Sequence, residues 1–409
     1  MTALQFDVMD PQRLGPSDRQ AWKAFVAASP RLHSPYFDLR YTLAATEVAP
    51  GAGVAVIHRA GRVVGFLPFQ RRGPLVQPLG APLTDYHGVI SAPGEDIPIA
   101  PIVQALNARM FRFNALKDTV TCARTRRASN FSMTADVSGG YDAYLERQAD
   151  QHPRFFKKMR RVARALEREH GPLQFSFPAD EPATVDLILA RKRDQLRRTG
   201  SHDIFACGWT ERLVRRLLAS RDADFGARLA VLRAGDKIVS AEIGLRGGAT
   251  YHLWFPIYES AYARYAPGML MTLETLRAAP GEGVGTVDFG LDDQPYKKYF
   301  AAPGDRVVEG RVIEPGWRSA CSEVADRVLA AGPPQLTRLR DSLRRRLDVI
   351  DACETGFGGW IGGAAAAMQK VASRRKAAGQ ELSAWLCGPL FPLIPLANET
   401  RELVGLAGV

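Results

Sequence analysis

The sequence predicts a duplicated α/β fold followed by a C-terminal extension of different character. Three observations carry that expectation. Residues 54–69 (VAVIHRAGRVVGFLPF) and 229–245 (LAVLRAGDKIVSAEIGL) echo each other, each being two β-rich runs around an Ala-Gly turn. Each echo is followed by a helical stretch and a further strand, and repetition of such units is the mark of duplication. Beyond about residue 315 the pattern stops, which divides the chain into 1–150, 151–315 and 316–409.

In chain order, the first hairpin leads to a helix expected over Ile99 to Arg112 and a short strand over Thr119 to Ala123. Pro153 to Gly171 (PRFFKKMRRVARALEREHG) has apolar residues at helical spacing between a starting Pro and a closing Gly. Its opposite face carries Lys157, Lys158, Arg160, Arg161, Arg164 and Arg168, a solvated connector or a phosphate-contacting one. A second helix runs from about Thr184 to Thr199. The second hairpin leads to a strand (TYHLWFP), a helix (PGMLMTLETLRAA) and a strand (TVDFG). The extension begins with a basic helix, Gln335 to Ile350, in which Arg340 and Arg344 stand one turn apart. A Gly/Ala-rich stretch (Gly356 to Met368) and a Pro-broken apolar segment (Trp385 to Ala397) follow.

Composition bounds the class. The 409 residues are 46% hydrophobic and 24% charged, as in globular proteins, with no apolar run long enough to span a bilayer. The N-terminus lacks a basic segment followed by an apolar one, which argues against a secretory signal and for a cytoplasmic protein. Five scattered cysteines without a CxxC pair fit a reducing compartment and no zinc site. The +11 formal charge suits an anionic partner, although only ten of the 54 basic residues are lysine, as an Arg-rich genome would also give. No P-loop, GxGxxG fingerprint, GxSxG elbow or HExxH occurs, so hydrolase, metalloenzyme and dinucleotide-dehydrogenase readings lack support.

The informative region is 250–300. Ala266-Pro267-Gly268-Met269 opens an apolar helix, and free N–H groups at such an end suit a pyrophosphate. The next strand holds Asp288, a candidate general base, and ends in a cluster with Asp292, Asp293, Tyr296, Lys297, Lys298 and Tyr299.

The ordered set "AGDKIVSAEIGLR…YHLWFPIYESAYARYAPGMLM…VDFGLDDQPYKKYF", with "GFLPFQ", "PLGAPLTDYHGVI" and "ARKRDQLRRTG" upstream, resembles the CelD/BcsL-type acetyltransferases of the GNAT superfamily, associated with bacterial polysaccharide synthesis. The resemblance covers roughly residues 15–310. It implies two tandem GNAT-like domains related to the Fem-type peptidyltransferases, each a mixed, mostly antiparallel sheet flanked by helices. It also implies acetyl-CoA as co-substrate, no metal, and an amino sugar or other glycan precursor, nucleotide- or lipid-linked, as acceptor. The polysaccharide machinery at the inner membrane face would then be a partner. One departure is visible: Arg264-Tyr-Ala-Pro-Gly268-Met-Leu270 places Gly one residue late for the superfamily's pyrophosphate loop and puts Leu at its second small position.

By the same resemblance, the strand before the helix splays from the next one and the pantetheine lies in the gap. Trp254 and Phe255 would then join Ala266 to Met269 in holding the cofactor. Asp288 or Glu242 would take the acceptor's proton, and Tyr296 or Tyr299 would protonate the thiolate. Asp85, Tyr86, His87, Tyr251, Tyr258, Lys297 and Lys298 would contact the acceptor. Two alternatives stay open: a Fem-like transferase using aminoacyl-tRNA, which the basic helices suit, and a degenerate GNAT-fold subunit binding an anionic nucleotide.

Overall fold

The computed structural model describes residues 3–117, 126–291, 294–313, 334–356 and 358–365. The first half comprises β1 (Leu4–Met9), α1 (Pro16–Ala28), α2 (Leu39–Val48), β2 (Ala52–Arg59), β3 (Arg62–Arg72), β4 (Leu75–Pro78), β5 (Ile90–Ser91), α3 (Ile99–Ala105), β6 (Met110–Leu116) and β7 (Arg126–Asp136). Two helices, α4 (Tyr141–Gln151) and α5 (Pro153–His170), connect it to the second half. That half comprises β8 (Leu173–Ala179), α6 (Pro182–Thr199), α7 (Trp209–Leu218), β9 (Phe225–Ala234), β10 (Lys237–Gly247), β11 (Thr250–Tyr258), α8 (Pro267–Ala278), β12 (Thr286–Leu291) and β13 (Ala302–Ile313). Apart from the short β5, the series strand, two helices, three strands, helix, two strands occurs twice, so the hairpin echo belongs to a repeated α/β unit.

Both hairpins turn where the sequence placed them. Ala60 and Gly61 have φ of 51° and 75°, the left-handed pair that a two-residue turn between twisted strands requires. In the second turn Gly235 (φ 58°) lies so close to the His170 carbonyl that a Cβ would approach it to 2.7 Å.

One mixed sheet runs through both halves in the order β1-β2-β3-β4-β6-β13-β7-β12-β11-β10-β9-β8, with β5 paired to β3. The centre is exchanged. β7 follows β6 in the chain but pairs with β12, and β13 follows β12 but lies between β6 and β7. Each half therefore completes the other's sheet, and the main core is continuous from Trp22 and Phe66 to Leu245 and Phe300.

Two expectations change. The helix foreseen over Ile99 to Arg112 stops at Ala105, and Asn107 takes φ 49° before β6 begins. Phe111 and Phe113 are buried on either side of a partly exposed Arg112, and that period of two makes a strand. The strand foreseen at Thr119 to Ala123 falls outside the described residues, as do Asp292, Asp293 and the segment Trp385 to Ala397.

The basic helix of the extension is α9 (Pro334–Cys353), and it docks on both halves. Arg112 pairs with Asp348 (2.7 Å) and Asp351 (3.0 Å), while Trp209 Nε1 donates to the Cys353 carbonyl (3.1 Å). His202 meets Glu354 at 3.0 Å, and Ile350 and Cys353 are buried. Among the described residues no helix is long and apolar enough to cross a membrane, and no group of three or more metal-ligating side chains occurs.

Candidate active site at the junction of the two halves

The parallel pairing of β11 with β12 sets His252 opposite Asp288. It extends over three positions only, Thr250↔Thr286, Tyr251↔Val287 and His252↔Asp288. Beyond them β11 continues to Tyr258 along β10, and Leu291 of β12 pairs with Ser132 of β7. A bulge in β11 accompanies the parting: Ile243 and Gly244 of β10 face Phe255 and Leu253, leaving Trp254 unpaired in that ladder. Gly244 has no room for a Cβ because the Tyr251 ring lies on it, and Tyr251 is wholly buried.

His252 has no exposed surface. Its Nε2 lies 2.7 Å from Asp85 Oδ2 and its Nδ1 3.2 Å from Asp288 Oδ2. Asp288 Oδ1 accepts from the Tyr86 hydroxyl (3.0 Å) and the Gly290 N–H (2.8 Å). The Tyr36 ring stands edge-on to the imidazole at 5.3 Å, and its buried hydroxyl has no partner among the described residues. Lys117 pairs with Asp305 (2.9 Å) and holds its ammonium 4.8 Å from the centre of the Tyr86 ring. Asp85, Tyr86 and Tyr36 come from the first half, His252 and Asp288 from the second.

The charges follow from this geometry. Burial opposes charge on His252, but Asp288 and then Asp85 outweigh it and lift the imidazole pKa to about 10. Burial pushes the Asp288 carboxyl up, yet the charged His252 and the Gly290 N–H hold it below the usual range. Asp288 is thus a carboxylate facing an imidazolium. Asp288 has its oxygens engaged and its side chain only 4% exposed, whereas the Asp85 side chain is 41% exposed and faces outward.

Glu242 of β10 is the other buried acid. Its Oε1 has no partner among the described residues, and burial raises its pKa to about 7 against the pull of His252 and Lys192. Lys192 of α6 is lowered to about 8 by burial, with Glu242 opposing. This pair straddles neutrality.

At the start of α8, Ala266 takes φ 49° and ψ 52°, Pro267 is buried, and a Cβ on Gly268 would meet nothing within 4 Å. The Met269 and Leu270 N–H groups turn back to the Ala266 carbonyl (3.0 and 3.2 Å), so Gly268 is the donor left for an anion. Tyr265 pins this turn to α5 through Glu169 and His170.

The equivalent place in the first half is filled. β4 and β6 pair in parallel at Leu75↔Met110 and Val76↔Phe111, and then the chain at 86–88 closes against β6. His87 N donates to the Ala115 carbonyl (3.3 Å), and Lys117 N to the His87 carbonyl (2.8 Å). This return delivers Asp85 and Tyr86 to the second half.

The residues singled out from sequence are distributed unevenly. Asp85, Tyr86 and Asp288 converge on His252, and Trp254 stands nearby with Nε1 donating to the Leu83 carbonyl (3.2 Å). His87 points the opposite way, into a core between Phe111 and Phe113, where burial pushes its pKa down to about 3. Phe255 is buried against Phe205, and Tyr258 is half-buried at the end of β11. Tyr299 stacks on Phe155 of α5 (4.4 Å), and Tyr296 stands edge-on to Phe300. Lys297 donates to the Leu291 carbonyl (2.6 Å), and exposed Lys298 lies over the Tyr299 ring. His252, Tyr36, Lys117 and Lys192 were not foreseen. The only signal for His252 was a histidine inside an otherwise apolar and aromatic strand.

Residues 153–298 match the family described as acetyltransferase (GNAT) domain. No curated protein matches the sequence. Among solved structures, the chain is similar to a tandem GNAT protein from the clavulanic acid biosynthesis pathway (12% identity, 77% of this chain, 99% of that one, TM-score 0.45). It is also similar to FemX (12%, 75% and 97%, TM-score 0.46). A third is the C-terminal domain of a putative lysylphosphatidylglycerol synthetase from Agrobacterium fabrum (12%, 76% and 96%, TM-score 0.44).

Proposed function

We propose that the acetyltransferase (GNAT) domain at 153–298 holds an acyl-CoA, and that the first half presents the acceptor to it at the Asp85–His252–Asp288 triad. The observation that carries this reading is the end of β11–β12 pairing at His252 and Asp288, together with the open turn at Gly268 at the start of the helix that packs on β10 and β11. A thioester arm fits between strands that stop pairing, with its diphosphate on the Gly268 N–H.

The acceptor proposed is an amine on an amino sugar or other glycan precursor, and the group transferred is acetyl. Trp254, half-exposed with its Nε1 on the Leu83 carbonyl, offers an aromatic face, and half-exposed Asp85 offers a carboxylate, the chemistry that suits a sugar. The amine nitrogen attacks the thioester carbon, the C–S bond breaks with CoA leaving as its thiolate, and the proton lost by nitrogen passes through water to Glu242 and from there back to the thiolate sulfur. Glu242 suits this role because its pKa of about 7 is near the working pH and its Oε1 is unengaged. Asp288, the first candidate from sequence, is locked as the counter-ion that orients His252. Tyr36, neutral because burial and nearby carboxylates raise its pKa, has an O–H to offer the reacting group. Binding both substrates in one geometry supplies much of the acceleration.

Calorimetry with acetyl-CoA, followed by release of free CoA thiol with a panel of amino sugars, tests the proposal. One site per chain and acceptor-dependent thiol release are expected. Absence of heat at millimolar acetyl-CoA overturns it and favours a subunit without catalysis. A second reading, an aminoacyl-tRNA donor, is favoured by α5, where Arg154, Lys157, Arg160, Arg161 and Arg164 are exposed and without ion partners among the described residues. Transfer abolished by ribonuclease and steeply salt-dependent would select it.

A further inference from the structure

Two of the five cysteines stand together although they are far apart in the chain. Cys207 lies in the loop before α7, and Cys353 is the last residue of α9. Both sulfurs reach the same acceptor, the Ile204 carbonyl, Cys207 at 3.3 Å and Cys353 at 4.0 Å, which sets the two thiols side by side. Neither is in a disulfide. The backbones around them are fixed to one another by Trp209 Nε1 on the Cys353 carbonyl and by His202 on Glu354.

The two sulfurs differ in kind. Cys207 is partly exposed, and the hydrogen bond from Cys353, with help from Thr210, outweighs burial and brings its pKa down to about 6. Cys353 is buried, and its thiol is held protonated. An accessible thiolate beside a buried thiol is the pairing of an attacking and a resolving cysteine.

We propose that Cys207 and Cys353 form a reversible oxidation site that reacts with low-molecular-weight disulfides and fastens the C-terminal extension to the body. The Cys207 thiolate attacks one sulfur of the small disulfide, forms a mixed disulfide and expels one small thiolate. Cys353 then loses its proton and displaces the second small thiolate, closing the Cys207–Cys353 bond. Two protein thiols are oxidised and one small disulfide is reduced to two thiols. The bond ties α9 to the loop that carries Phe205, whose ring packs on Phe255 (5.6 Å), itself stacked on Trp254 (4.5 Å). Oxidation would therefore stiffen a loop one packing layer from β11. The inference stands independently of the acyl-transfer reading.

The test equilibrates the full chain in glutathione buffers of increasing oxidised fraction, alkylates the remaining thiols and maps the peptides by mass spectrometry. Expected is one intramolecular Cys207–Cys353 link in monomeric protein, with Tm raised by about 3 °C or more and restored by dithiothreitol. Cys207→Ser and Cys353→Ala should each abolish the link. Both thiols remaining alkylatable at the oxidising end would overturn the proposal. So would a glutathione adduct persisting on Cys207, or linkage to Cys122, Cys321 or Cys387. The wild-type map decides without relying on the folding of either variant.

Discussion

At the residue scale, two acids that look alike in sequence have opposite characters. Asp288 sits against a charged imidazole and is ionised; Glu242 is buried with an unengaged oxygen and titrates near neutrality. Because folding raises the Glu242 pKa from 4.5 to about 7, its contribution to stability is full below pH 4.5 and lost as pH rises through 7. Glu242→Gln should therefore be more stable than the wild type at pH 8 by up to about 3 kcal/mol in urea titrations. The same variant should lose at least about tenfold in turnover and the kinetic pKa near 7, with acetyl-CoA affinity unchanged. Unaltered turnover would remove Glu242 from the chemistry. His252 behaves in the same direction over a higher window: raised to about 10, it supports folding fully below pH 6.5 and loses that support as pH climbs through 10. His252→Gln should flatten the fall in unfolding free energy between pH 7 and 10. It should also cost about 3 kcal/mol at pH 7, since two carboxylates lose their counter-ion.

At the element scale, the same strand pair behaves differently in the two halves. Where the β4–β6 pairing ends, the chain at 86–88 occupies the place alongside β6, whereas β11 and β12 pair at three positions and then part. Gly268→Asp tests this opening directly. The new carboxylate would sit in open space at a helix N-terminus, so Tm should be unchanged or slightly higher. Its charge would meet the diphosphate, and the Kd for acetyl-CoA should rise about tenfold or more in calorimetry. Equal affinity in the variant would place the diphosphate elsewhere.

At the scale of the molecule, the exchanged strands β7 and β13 make the halves one folding unit, and α9 lies across both. Truncation after Ile313 would uncover Trp209, strip Arg112 of Asp348 and Asp351, and remove buried Ile350 and Cys353. The shortened chain should lose several degrees of Tm in a thermal melt while still binding acetyl-CoA if the proposed site is right. A chain as stable as the full one would mean that α9 is an appendage.

Sequence alone determined the local and repeated features. Gly61 and Gly235 mark the hairpin turns because glycine takes left-handed backbone most readily, and the period of α5 follows from its one buried face. The duplication was legible for the same reason: a repeated pattern needs no knowledge of distance. The helix start at Pro267-Gly268 was also legible. What only the tertiary structure decided is who meets whom. His252 became a charged hub because a strand register set Asp288 beside it and a returning loop of the other half set Asp85 against its second nitrogen. His87, next to Tyr86 in the chain, faced the core instead, since its backbone is tied to Ala115 and Lys117 on β6 and a one-residue step along an extended chain reverses the side. Pairing of strands and burial of charge depend on contacts between distant segments, and those no local spacing encodes.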